Sequence, residues 1–252
     1  MTDLYNYIDR IDRKGGREDN SAREKAPDVH DESSSCVCSP KWLNLFNHSL
    51  KEIEGRGIGG RWYVITGTPM TMLHWKEIFF DAVLHGATIN FAYQSAISPD
   101  SCFSMQAQWR MNIEHLQDPD PIGLLKQRLR DGISQLRALA RKAIDKKSKG
   151  AFQFFESFIT HPYVAILIVP ESPKDKPPTQ EGAPPGTICL LGHYTFYPRS
   201  LEDRLGICLS QPSPLLDIYY NSITRLFEQG PKDNYLRTVN LYDKAHFPPN
   251  PA

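Results

Sequence analysis

The chain has 252 residues, 40% hydrophobic and 11% aromatic, and its 29 basic side chains balance 29 acidic ones. That length holds one ordinary domain with a tail, or two small domains, and the apolar share suffices for a buried core. No apolar run reaches the roughly 18–20 residues of a membrane span. The opening MTDLYNYIDRIDRKGGRED lacks the apolar stretch of a secretory signal. A net charge of zero gives no global attraction to nucleic acid.

Residues 1–38 are polar and charged, nearly without aromatic or branched apolar residues after Ile11. Such a segment cannot bury enough surface to offset its ordering entropy, so a disordered N-terminal tail is expected. The five cysteines are Cys36, Cys38, Cys102, Cys189 and Cys208. An odd count without an export signal fits a reducing, cytoplasmic setting. Cys189 and Cys208 lie in apolar strand-like runs and read as small buried hydrophobes. Cys36-Val-Cys38 supplies two of the four ligands of a structural zinc site, so no metal centre and no cofactor is expected.

From residue 39 to 230 the pattern is that of one α/β domain. Ser39 and Pro40 open a helix stopped by Gly55, with Trp42, Leu45, Phe46, Leu50 and Ile53 on one face. RWYVIT, residues 61–66, is a strand broken by Gly67-Thr68-Pro69. MTMLHWKEIFFDAVLHG is a helix ended at Gly86, and ATINFAY, residues 87–93, is a second strand. Strand, helix, strand in this compass predicts a crossover and a parallel pair. A helix over residues 104–116 ends at DPDP. The strongest helical pattern, residues 124–149, carries Leu125, Leu129, Ile133, Leu136, Ala140 and Ala143 on one stripe. Nine basic residues against two acidic ones occupy the rest. AFQFFESF reads as an edge strand. HPYVAILIVP, residues 161–170, and GTICLLGHYTFY, residues 186–197, read as a hairpin with a proline-rich tip. LGICLS is a further strand, SPLLDIYYNSITRLFEQG a helix, and residues 231–252 a tail. The predicted fold is α/β: a mixed, mostly parallel sheet flanked by helices.

Two places attract a functional reading. Parallel sheets bind ligands beyond the carboxyl ends of their strands. Thr66, Gly67 and Thr68 end the first strand, and Gln94 and Ser95 end the second, so these small polar groups face the expected crevice for an anion; turn chemistry alone is the competing explanation. The basic helix 124–149 offers a phosphate-binding face, for nucleic acid among other partners, although exposed charged helix faces are usually just solvated. GxxxxGK[ST] and GxSxG are both absent, which disfavours a P-loop NTPase and a serine-elbow hydrolase.

Three stretches together resemble the phospholipase D-like family. RWYVITGTP…LHWKEIFFDAVLHGATINFAY is similar to its opening strand–loop–helix–strand unit. FQFFESFITHPYVAILIVP…GTICLLGHYTFY is similar to its later strand and hairpin. GICLSQPSPLLDIYYNSITRLFEQ is similar to its closing strand, turn and helix. The catalytic members use His-x-Lys-x4-Asp, spelled here by His74, Lys76 and Asp81. The resemblance implies a His nucleophile, a Lys on the phosphate oxygens and an Asp setting the His. That motif belongs on an extended segment, whereas this run reads as helix, in which residues two apart point about 200° apart. No second copy of the motif is present, and the downstream Gly-Ser-x-Asn is missing. The resemblance therefore implies a degenerate, non-catalytic sensor or regulatory module binding a small anionic ligand. His193, Tyr194 and Arg204 would border the old cleft. The alternatives are a homodimeric, metal-independent phosphodiesterase or nuclease working through His74, Lys76 and Asp81, and a protein-interaction module without a ligand.

Overall fold

A computed structural model describes residues 36–39, 41–54, 59–95, 121–159, 161–171, 182–193 and 205–240, all within one compact unit, Ser35–Ala252. In chain order the elements are β1 (Cys36–Ser39), α1 (Trp42–Glu54), β2 (Arg61–Thr66), α2 (Pro69–Met72), a 3-10 turn (Leu73–Trp75), α3 (Lys76–Leu84), β3 (Thr88–Gln94) and α4 (Pro121–Asp145). There follow β4 (Ala151–Ser157), β5 (Tyr163–Val169), β6 (Ile188–His193), β7 (Gly206–Leu209), α5 (Pro214–Gln229) and β8 (Leu236–Val239).

The strands form one sheet in the order β1-β7-β6-β5-β2-β3-β4-β8. The mixed α/β sheet flanked by helices is thus formed, but its parallel part is smaller than expected. Among the described residues only β2–β3 and β3–β4 pair parallel, and the other five pairings are antiparallel. The reason lies in the connections. A parallel neighbour needs a crossover of helix length. Such crossovers pass through α2 and α3 between β2 and β3, and through α4 between β3 and β4. β5, β6 and β7 follow one another as antiparallel neighbours, whereas β1–β7, β2–β5 and β4–β8 join antiparallel strands that are not consecutive in the chain.

Alternation along each strand sorts side chains to two faces. Trp62 and Val64 of β2, with Ile89 and Phe91 of β3, pack against α1, α3 and α4. Tyr63 and Ile65 pack with Leu216, Ile223 and Phe227 of α5 on the opposite face. The stripe predicted for α4 is buried at Leu129, Ile133, Leu136, Ala140 and Ala143; the side chain of Leu125 lies outside the described set. Trp42 of α1 sits on a floor of two glycines paired across β6 and β7. A Cβ at Gly206 would stand 2.6 Å from the Trp42 Cα, and one at Gly192 2.8 Å from its ring.

The structure shifts three boundaries. Cys36–Ser39, given by the sequence to the tail and to the start of a helix, is a strand paired with β7, and the helix starts at Trp42. The Ser39 hydroxyl oxygen accepts the Lys41 N–H at 3.2 Å, a turn contact one step before the helix. Leu236–Val239, expected in the C-terminal tail, is the eighth strand, because Leu236 and Val239 are buried against β4 and its neighbours. With β8 in place, β4 is an inner strand and no longer an edge. The helix expected at residues 104–116 lies outside the described residues. Among the described residues no helix is long and apolar enough to cross a membrane.

Candidate functional site

The register brings most of the nominated residues to one sheet edge. Thr66 pairs with Tyr93 at the carboxyl end of β2 and β3, and Gln94 pairs with Ser157 at the end of β4. The antiparallel strands meet this edge with opposite ends. Leu236 begins β8 beside Ser157, and Tyr163 begins β5 beside His193, the last residue of β6. Thr66, Gly67, Thr68, Gln94, Ser95 and His193 therefore share the carboxyl edge of the parallel strands. Tyr194 and Arg204 lie outside the described residues.

Local bonds lock these strand ends. The buried Thr66 hydroxyl donates to the Thr68 carbonyl at 2.9 Å, and the hydroxyls of Thr68 and Thr71 lie 3.3 Å apart. The Gln94 N–H donates to the Gly67 carbonyl at 3.2 Å, and the Ser95 N–H to the Ser157 carbonyl at 2.7 Å. Thr66 thus does turn work here.

Strand alternation divides the edge between the two faces of the sheet. On the α4 side, Glu156 is 6% exposed. One of its oxygens accepts the Ser95 hydroxyl at 2.5 Å, and the other takes the Arg237 guanidinium. Tyr93 lies beside them. Burial pushes its phenol up, the Glu156 charge adds to that, and Arg237 and Arg137 oppose it. Arg137 comes from α4 and is half-buried, and it acts electrostatically on Tyr93 in the same sense as Arg237.

On the α5 side, the Ser157 hydroxyl lies 2.8 Å from Nε2 of buried His161 and 3.1 Å from the Ile159 carbonyl. Burial depresses the His161 imidazole to about 4, which keeps it neutral at neutral pH. His193 is shifted the same way by burial. Its ring stands 6.0 Å from Tyr163, which in turn meets Tyr219 at 5.6 Å. The Tyr163 phenol is pushed up to about 12, first by burial and then by Tyr219 and Cys189, against the bond from Ser222.

Glu156, Ser157, Arg237 and His161 are not among the residues the sequence nominates, and Arg137 enters there only as one of the nine cations of the basic helix. One signal was available: a carboxylate and a hydroxyl in the apolar run FQFFES.

His74, Lys76 and Asp81 are placed differently. His74 is in the 3-10 turn, Lys76 is the first residue of α3, and both are exposed. The His74 ring meets Trp75 edge-on at 5.5 Å and lines a shallow recess with Asn47 and Lys51. Asp81 turns to His85, with Oδ2 3.4 Å from Nδ1. Among the described residues, no hydrogen bond or ion pair joins the three to one another. Nor is any group of three or more His, Cys, Asp and Glu side chains placed to hold a metal.

Arg130, Arg141 and Lys142 on α4, and Lys146 and Lys147 in the turn after it, are exposed. Lys142 lies 3.5 Å from Glu77 and 4.2 Å from the Phe80 ring centre. An open groove of about 750 Å3 runs beside Arg137, Arg141, Lys142 and Lys146, with Asp145 as its acidic member.

No protein-family model matches the chain, and no curated protein matches it. Among the solved structures similar to the chain at low identity are the following two. TrmBL2, an archaeal chromatin protein described with a novel mode of DNA binding, is 6% identical with a TM-score of 0.41, over 90% of this chain and 60% of that one. Phosphatidylserine synthase of Haemophilus influenzae Rd KW20 is 12% identical with a TM-score of 0.44, over 91% of this chain and 45% of that one. The chain thus spans less than two thirds of the length of either.

Proposed function

We propose that the chain is a non-catalytic, phospholipase D-like regulatory module of the cytoplasm that binds a small anionic ligand at the carboxyl edge of β2, β3 and β4. The observation that carries this reading is the register. It gathers polar side chains from several strands at the edge where such sheets take ligands, with Arg237 at one corner of it and Arg137 acting electrostatically on Tyr93 there. Guanidinium groups suit the planar, paired oxygens of phosphate or carboxylate. The helical setting of His74 and Lys76 supports the non-catalytic form.

A thermal-shift screen of nucleotides and phosphosugars tests the reading. A ligand at 100 times its dissociation constant stabilises by about 2.7 kcal/mol. The gain should shrink in Arg237→Met, assayed against that variant's own unliganded midpoint. A flat screen overturns the ligand and favours a protein-interaction module or homodimer. Hydrolysis of a generic phosphodiester that disappears in His74→Ala overturns the non-catalytic part.

One observation favours a second partner. The exposed cations of α4 and the groove beside Arg141 and Lys146 suit a nucleic-acid backbone. Binding of an oligonucleotide that weakens with salt and with Arg141→Gln/Lys146→Gln supports it. No binding at low salt rules it out.

A further inference from the structure

At the edge opposite the proposed ligand site, where β2 and β3 begin and β5 ends, lies a cleft of about 440 Å3. Its floor is set by the backbone. Gly60 sits at φ +107°, and a Cβ there would stand 2.3 Å from the Val169 carbonyl oxygen, so no side chain fills the space. Arg61 starts β2, paired with Thr88 on one side and Val169 on the other. By alternation with Tyr63 and Ile65 it faces α5. Above it runs a stripe of α5, Tyr220, Thr224 and Glu228, at helical spacing of four. Glu171 follows β5, and its carboxylate reaches the Gly59–Gly60 turn, 3.9 Å from where a Cβ of Gly59 would be.

The charges here alternate: one guanidinium with two carboxylates. Among the described residues none of the three is closed by an ion pair within the fold. The Tyr220 hydroxyl is within electrostatic reach of Tyr63, Glu228 and Arg61, which places both signs of charge in the same small volume. A cleft of this size accommodates a small metabolite. A simple anion would meet two carboxylates, and a simple cation would leave the guanidinium opposed. A ligand with one carboxylate and two cationic groups matches all three.

We infer that this cleft binds a free basic α-amino acid, its α-carboxylate on Arg61 and its two cationic groups on Glu171 and Glu228. The tyrosine rings of Tyr63 and Tyr220 flank the aliphatic chain between them.

Isothermal titration of the full chain with L-lysine and L-arginine tests this, with cadaverine as the lysine analogue that lacks the carboxylate. The amino acids should bind at least tenfold more tightly than cadaverine. Arg61→Met should remove that advantage by weakening the amino acids while cadaverine binds as well as before or better, and Glu228→Gln should weaken both. Both positions are exposed, and far-UV circular dichroism confirms the fold of each variant. No heat from either amino acid at about 10 mM overturns the proposal. So does equal binding of cadaverine, or an Arg61→Met variant that binds lysine as before. Ser95→Ala, at the far edge, should leave this titration unchanged, so failure here and failure of the anion site are read separately.

Discussion

Glu156 on β4 and Arg237 on β8 stand directly opposite one another in the antiparallel register, and their side chains close an ion pair with a buried carboxylate and a half-exposed guanidinium. Arg237 also packs over Phe158, 5.5 Å from its ring centre. Removing the cation leaves the carboxylate with the Ser95 hydroxyl as its side-chain hydrogen-bond partner among the described residues. Arg237→Met should cost about 1–3 kcal/mol in urea unfolding, less than for a fully buried pair because water reaches the guanidinium. The double variant with Glu156→Gln should lose less than the sum of the two single losses. Strict additivity would show that the pair is not coupled.

His161 gives stability a pH dependence. Folding holds its imidazole down at about 4, against an ordinary value of 6.5 in the unfolded chain. Between those values the unfolded state binds the extra proton. Stability is therefore full above pH 6.5, falls as the pH drops toward 4, and levels off below, by up to about 3 kcal/mol in all. His193 contributes in the same direction. Urea midpoints across this range should slope less in His161→Gln than in the parent. Parallel slopes would refute the assignment.

The glycine floor under Trp42 makes a sharp packing prediction. Gly206→Ala places a methyl 2.6 Å from the Trp42 Cα, so α1 has to shift. The expected loss is about 1–3 kcal/mol, with broadened Trp42 indole signals in NMR spectra. Trp42→Ala should cost about 3–5 kcal/mol. A neutral Gly206→Ala would mean that α1 is loosely held.

Cys36 and Cys38 share one face of β1 with their sulfurs 3.9 Å apart. Hydrogen bonding from Cys38 lowers the Cys36 thiol to about 7, against an opposing effect of burial, while Cys38 itself is raised. Alkylation by iodoacetamide should strike Cys36 first, with a midpoint near pH 7. Cys38→Ala, which removes the donor, should move that midpoint upward. Buried Cys189, its thiol pushed up by desolvation, should stay unmodified in the native state.

His74→Ala removes an exposed ring that has no hydrogen-bond or ion-pair partner among the described residues. Its unfolding free energy should stay within about 0.5 kcal/mol of the parent.

Strand ends were legible where a breaker marks them. Gly67-Thr68-Pro69 announces the end of β2, and Gly86 the end of α3, so the strand end at Thr66 is read from composition alone. Arg237 was not legible. Its partner is 81 residues away, and its strand is four residues long in a polar setting. A period of two has no room to show over such a length. Arg137 was counted with the exposed cations because the stripe is read by residue type. On the helix it adjoins buried Leu136 and lies one turn from buried Ile133, close enough to the seam to turn inward. The parallel share was overestimated because a strand run does not reveal its direction when the connecting loops are long.

The two strands at the ends of the sheet, β1 and β8, come from outside the 39–230 span that composition marks as the domain. A fragment trimmed to that span would bare the ladder groups of β7 on one flank and β4 on the other. Unpaired strand borders recruit further chains. Such a fragment should express as aggregates, whereas one reaching from residue 36 to residue 240 keeps both flanks covered.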